Sequence, residues 1–190
     1  PSAGAVGAAA GWLAVNVRGG KGTLGTDGVV VEGIDDSGAS ITTSDVGLTT
    51  AEGVIEMDGT TGTTDAATIS AAGVTTLHTL EAGGNQVETV NLSGNGAAVT
   101  YELTGAATTY NVTGSQDVTL SGNESSFDGK TVADSSTGTS TVKITTLDDS
   151  DLSKVSVDNI LVSSNVASKT LTLGDNATVT LGTDVDTAFE

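Results

Sequence analysis

Apolar and polar residues alternate along most of this chain in short runs, and several runs close on the same phrase: an apolar residue, Ser or Thr, then Gly. The phrase recurs as Val90-Asn-Leu-Ser-Gly94, Tyr101-Glu-Leu-Thr-Gly105, Tyr110-Asn-Val-Thr-Gly114 and Val118-Thr-Leu-Ser-Gly122. A period of two places one row of side chains inside and the other outside an extended strand, and Gly then lets the backbone turn. The phrase-final glycines, Gly94, Gly105, Gly114 and Gly122, follow one another at short and nearly even intervals. Two phrases together therefore make a unit of about 17 to 20 residues, the size of one turn of a small β-solenoid. Each such unit buries its apolar row only against its neighbours.

The same text continues to Leu181, through Val142-Lys-Ile-Thr-Thr-Leu147, Val155 to Val162, Thr170-Leu-Thr-Leu-Gly174 and Thr178-Val-Thr-Leu-Gly182. Residues 85–190 are thus expected to form a repetitive β-solenoid, with about five turns between 87 and 181. Residues 1–84 are expected to form an irregular β-rich segment. Between Gly22 and Gly84 the β-type runs lack a fixed spacing, which allows either an irregular β-domain or looser turns of the same coil. The fold class expected is all-β, a β-solenoid of parallel β-helix or β-roll type, with a β-sandwich as the alternative because its strand spacing also fits. Helical periodicity is absent; a single capped turn is expected at most, at Asp148 to Lys154.

Composition narrows the picture. Aromatic residues are 3% of the 190, so Val, Leu, Ile and Ala must fill a narrow interior. The only Trp, Trp12, reads as a core or interface anchor. Gly occurs 26 times and Pro once, which leaves turns to Gly, Asn, Asp and Ser. There is no Cys, which leans toward an exported bacterial protein, and no apolar stretch of membrane-spanning length. Pro1 in place of an initiator Met reads as a processed or excised piece.

The formal charge of −18, from 24 acidic and 6 basic residues, excludes nucleic acid as a partner, since the basic residues form no stripe. Divalent cations would relieve the self-repulsion, and calcium takes six to eight oxygen ligands in flexible geometry. The candidate metal ligands are Asp148, Asp149 and Asp151, with Asp35 and Asp36 and with Asp184 and Asp186 in two further turn-like segments. No Asp-x-Asp-x-Asp-Gly loop and no calcium-roll nonapeptide accompanies them. Catalysis has little support: His78 is the only His, a Cys nucleophile is absent, and no Ser occupies a Gly-x-Ser-x-Gly elbow. The chain is expected not to be an enzyme. Tyr101 and Tyr110 pack across strands or line a sugar-binding surface.

At Val87 to Gly94 and at Leu152 to Ile160 the sequence resembles the repetitive surface-layer proteins of Gram-negative bacteria that leave by type I secretion, and related large adhesins. The resemblance spans roughly residues 85 to 182. It implies a β-solenoid, calcium-promoted self-association into a lattice or filament, and an extracellular place on the bacterial cell surface. An adhesin stalk or carbohydrate-binding module contacting cell-surface glycan is the alternative it leaves open. A metal-dependent polysaccharide enzyme on the same fold ranks below both.

Overall fold

The computed structural model describes residues 6–7, 13–18, 29–34, 39–44, 54–59, 64–79, 87–105, 107–163, 169–175 and 177–181. The chain winds as a β-solenoid. Its strands are β1 (Val6–Gly7), β2 (Leu13–Arg18), β3 (Val29–Ile34), β4 (Ala39–Ser44), β5 (Val54–Gly59), β6 (Ala66–Thr79), β7 (Thr89–Gly105) and β8 (Thr109–Val112). They continue as β9 (Val118–Asn123), β10 (Thr131–Asp134), β11 (Ser140–Thr146), β12 (Ser150–Leu152), β13 (Val155–Ser156), β14 (Asn159–Val162), β15 (Leu171–Leu173) and β16 (Val179–Leu181).

Two parallel ladders form the walls. The first runs β1-β3-β5-β6-β7-β9-β11-β14-β16, and the second runs β2-β4-β6-β7-β8-β10-β13. The long strands β6 and β7 serve both: residues 66–70 and 89–92 lie in the second ladder, and residues 76–79 and 99–102 in the first. A third side is built from the single 3-10 turn η1 (Glu124–Ser126) and the two-stranded pair β12-β15. Every pairing among the described strands is parallel, which excludes the antiparallel sandwich.

Alternation dictates which side chains enter the stack. In the first ladder Tyr101, Leu120, Val142 and Ile160 lie in register and are all buried. In the second, Ala67, Val90, Tyr110, Val132 and Val155 make the matching column. Phe127, at the end of η1, is fully buried and fills the interior from the third side. Burying each Val or Leu contributes roughly 1.5–3 kcal/mol, so the columns supply the main cohesion between coils. Both Tyr rings belong to this core, so packing across strands is their role and neither lines a surface.

The register shows how the phrases work. Asn91 pairs with Asn111 in the second ladder, and Tyr101 pairs with Leu120 in the first, so alternate phrases fall on alternate ladders. Between residues 87 and 181 the first ladder has rungs on β7, β9, β11, β14 and β16. Coil length varies more widely elsewhere: the step from Thr141 to its partner Asn159 is short, and the step from Ala39 to its partner Ala67 is much longer. The segment from Gly22 to Gly84 supplies rungs to both ladders with these longer coils, and the β6-β7 pairing carries the ladders past residue 84.

Residues Asp148 to Lys154 do not form the expected capped turn. Ser150 and Leu152 are buried and Asp151 is exposed, the period-two burial of strand β12. The one short helical turn among the described residues is η1, where the Ser125 and Ser126 hydroxyls donate to Asn123 Oδ1 at 3.0 and 2.9 Å. Among the described residues no helix is long and apolar enough to cross a membrane.

Candidate functional site

Where the chain leaves a ladder at a corner, the backbone N–H groups lose their strand partners and need another acceptor. Acidic side chains one coil away provide it. Asp117 Oδ1 accepts from the Thr139 N–H at 2.8 Å, Asp128 Oδ1 from the Asp151 N–H at 2.8 Å, and Asp149 Oδ1 from the Thr170 N–H at 2.7 Å. Glu88 Oε2 and Asp158 Oδ2 reach in the other direction along the stack, to the N–H groups of Asp65 and Ser140, both at 2.9 Å. Each of these bonds bridges one coil. They are charge-assisted and tie successive coils together at the edges of the sheets.

The candidate ligands Asp148, Asp149 and Asp151 are all exposed and all near the third side. Asp148 forms an ion pair with Lys169 and also accepts the Asp149 N–H at 2.8 Å. The hydrogen bond from Lys169 holds the Asp148 carboxyl below its ordinary value, and the same bond raises the Lys169 ammonium. Asp151 Oδ1 accepts the Ser153 N–H at 2.9 Å, and hydrogen bonding to Ser153 lowers its pKa as well. Glu124 moves the other way, raised by partial burial and then by the neighbouring charges of Asp128 and Asp148. The three aspartates thus reach separate partners, and among the described residues no group of three or more His, Asp or Glu is placed to hold a metal ion. Asp35, Asp36, Asp184, Asp186 and Trp12 lie outside the residues whose side chains are described.

A polar cluster not singled out by the sequence lies at Ser140. This residue takes the inward position that Val99 and Val118 occupy on the two preceding rungs, and it is fully buried. Its hydroxyl donates to Asp134 Oδ2 at 2.5 Å and lies 3.3 Å from Asp158 Oδ2, while the Asp158 N–H donates to Ser140 Oγ at 3.0 Å. Burial penalises the Asp134 carboxylate, yet hydrogen bonds from Ser140 and Ser136 outweigh it and hold its pKa below the ordinary value. With Ser140 inaccessible, the cluster joins a turn to the ladder. Its signal in the sequence is an interrupted alternation: Ser where Ser140-Thr-Val-Lys-Ile144 calls for an apolar residue.

The outer faces differ in charge. The first ladder turns Glu102 and Lys143 outward, and the third side carries Glu124, Asp128, Asp148, Asp149, Asp151 and Lys169. From β6 to β13 the strands of the second ladder turn outward only Ala, Ser, Thr and Asn, with Lys154 standing just ahead of β13 at the end of the face. An amide ladder runs up this face: Asn111 Nδ2 donates to Asn91 Oδ1 at 2.9 Å, and Asn91 Nδ2 to Thr68 Oγ1 at 3.3 Å. An open hollow of about 250 Å³ lies against the first ladder between Gly73, Ala98, Val99, Thr100, Asp117 and Thr119. Its one carboxylate, Asp117, is the one bonded to Thr139. No protein-family model, curated protein or solved structure matches the chain.

Proposed function

We propose that this chain is a structural repeat segment of a bacterial cell-surface layer or sheath, which self-associates outside the cell. The observation that supports this reading is the stack of parallel rungs from Val6 to Leu181, in which, between residues 65 and 170, acidic and hydroxyl side chains join successive coils. Such a stack is a stiff spacer whose length grows by one strand spacing per coil. Its described chemistry goes into cohesion: Asp148, Asp149 and Asp151, which the sequence marks for a ligand, each accept a backbone hydrogen bond.

Calcium acts in this reading on assembly. Copies that each carry a formal charge of −18 repel one another, and a divalent ion shared between Asp148, Asp149 or Asp151 and a neighbouring copy relieves that repulsion. The test is a calcium titration followed by light scattering and far-UV circular dichroism, with magnesium as control. The expected outcome is a β signal present from the start and particle growth with calcium. Growth equal in magnesium would reduce the ion to a counter-charge, and no growth in either would remove divalent ions from the proposal.

A further inference from the structure

We propose that the outward face of the second ladder is the surface on which a second copy of this chain packs, face to face. The proposal rests on the reading that the chain self-associates, and it names the surface. With 24 acidic residues against 6 basic ones, two copies meet with least repulsion where no negative charge stands between them. From β6 to β13 the strands offer none outward, and their central rows are Thr89 with Asn91, Thr109 with Asn111, and Thr131 with Ala133. From β6 to β13 it is the side whose strands place no ionisable residue at an outward register position, and Lys154 at its end adds no negative charge.

Covering this face also costs little. Burying a polar group is unfavourable chiefly when its hydrogen bonds to water are not replaced. Here the Asn91 and Asn111 amides bond along the stack, and the Ser93, Thr113 and Ser135 hydroxyls donate to carbonyls of the preceding coil, those of Ile69, Leu92 and Val112. Ala, Ser, Thr and Asn have short side chains with little rotamer freedom to lose. The parallel register keeps equivalent residues one above another along the face.

The area sets the strength of the contact. Five rungs at ~4.8 Å and about two outward positions per rung, ~6.8 Å apart, make a face of about 24 by 14 Å, or roughly 340 Å². A stable dimer buries about 800 Å² per partner, so one contact of this size is weak and becomes effective when copies are concentrated or held in an array. Association is therefore expected to depend steeply on concentration.

The experiment is sedimentation equilibrium of the full chain over a wide concentration range. Wild type is compared with Thr109→Glu and Thr131→Glu on this face and with Thr119→Glu at an outward position of the first ladder. Far-UV circular dichroism verifies that each variant is folded, and two variants on the face guard against one that is not. The expected result is concentration-dependent association of wild type and of Thr119→Glu, weakened about tenfold or more in Thr109→Glu and Thr131→Glu by like charges brought into opposition. Folded Thr109→Glu and Thr131→Glu proteins that associate like wild type would overturn the assigned face while leaving self-association intact. Equal damage from Thr119→Glu would do the same. A wild type that stays monomeric throughout would remove the self-association reading with it. Retention of monomeric wild type on an insoluble polysaccharide, lost in Thr109→Glu, would overturn the self-contact and give the face to a glycan.

Discussion

A hydroxyl just past the last inward residue of a strand has a carbonyl of the preceding coil within reach. Ser93, Thr113 and Ser135 use this position in the second ladder, and Thr145 and Ser163 in the first, where they donate to the Gly122 and Ile144 carbonyls at 2.9 and 3.0 Å. For Ser93 and Thr113 this is the physical content of the Ser or Thr that stands before Gly in the recurring phrase. The Gly itself is required at position 94, where an added Cβ would stand 2.5 Å from Gln116 Cβ and closer still to the Ala97 carbonyl oxygen. Ser140 concentrates more bonds than any of these hydroxyls. Ser140→Ala removes a donor to Asp134 and the acceptor of the Asp158 N–H in a fully buried position, and is expected to cost about 1–3 kcal/mol in denaturant melts. The tyrosines provide a second test at this scale. Burial raises Tyr101 far above its ordinary value of 10.0 and pushes Tyr110 up to about 12. These are the only two Tyr, so an ultraviolet titration of the folded chain should show no phenolate near pH 10. Because the unfolded tyrosines ionise first, stability is expected to fall as pH rises from about 10 toward 12.

Elements are joined at their corners as much as along their ladders. Asp117 and Asp149 stand just ahead of a strand and Asp128 in the turn after η1, and each accepts an N–H one coil away. The Asp128 and Asp149 bonds also account for β12 in place of a helical turn. The N–H groups of Asp151 and Thr170 are taken by the stack, and Leu152 is drawn into the core. Acid should loosen the folded chain at three other carboxylates. Asp134, Asp148 and Asp151 all have pKa values below the ordinary 3.8 in the folded chain. A lowered folded pKa means that the stabilisation is complete above the ordinary value and is lost as pH falls through the lower one. Unfolding at fixed denaturant is therefore expected to steepen below about pH 4. Asp134→Asn, which keeps the shape and removes the titration, should flatten part of that limb, and an unchanged acid limb would show that Asp134 does not contribute to it.

At the scale of the whole molecule the main opposing force is charge. A formal −18 on 190 residues, with acids at several corners of the stack, stores repulsion that mobile ions screen over about 8–10 Å at physiological ionic strength. The melting temperature is expected to rise by several degrees when sodium chloride is raised from about 10 mM to about 150 mM. A fall would mean that the ion pair of Asp148 with Lys169 and the carboxylate bonds outweigh the repulsion. The uncharged face of the second ladder belongs to this scale too. It is invisible in the composition, because residues such as Thr68, Asn91 and Asn111 are each a whole coil apart in sequence and become one surface only when the coils stack.

Much of the architecture is written in local order. Period-two alternation makes strands, Gly, Ser, Thr and Asn place the turns, and the spacing of the glycines at 94, 105, 114 and 122 assigns alternate phrases to alternate sides of a coil. These are near-neighbour effects, so they are legible without the fold. Longer-range features were not. Coil length swings from the short step between Thr141 and Asn159 to the long one between Ala39 and Ala67 because turns lengthen freely at small entropic cost, so the same ladders run through residues 29–79 without a visible repeat. Asp148, Asp149 and Asp151 look like one oxygen-rich cluster in sequence, yet they diverge to Lys169, Thr170 and Ser153 in the folded chain. The partners of Asp148 and Asp149 are decided by the coil that lies against them, a whole turn away in sequence, and that is settled only when the columns of Val, Leu, Ile and Tyr pack in register.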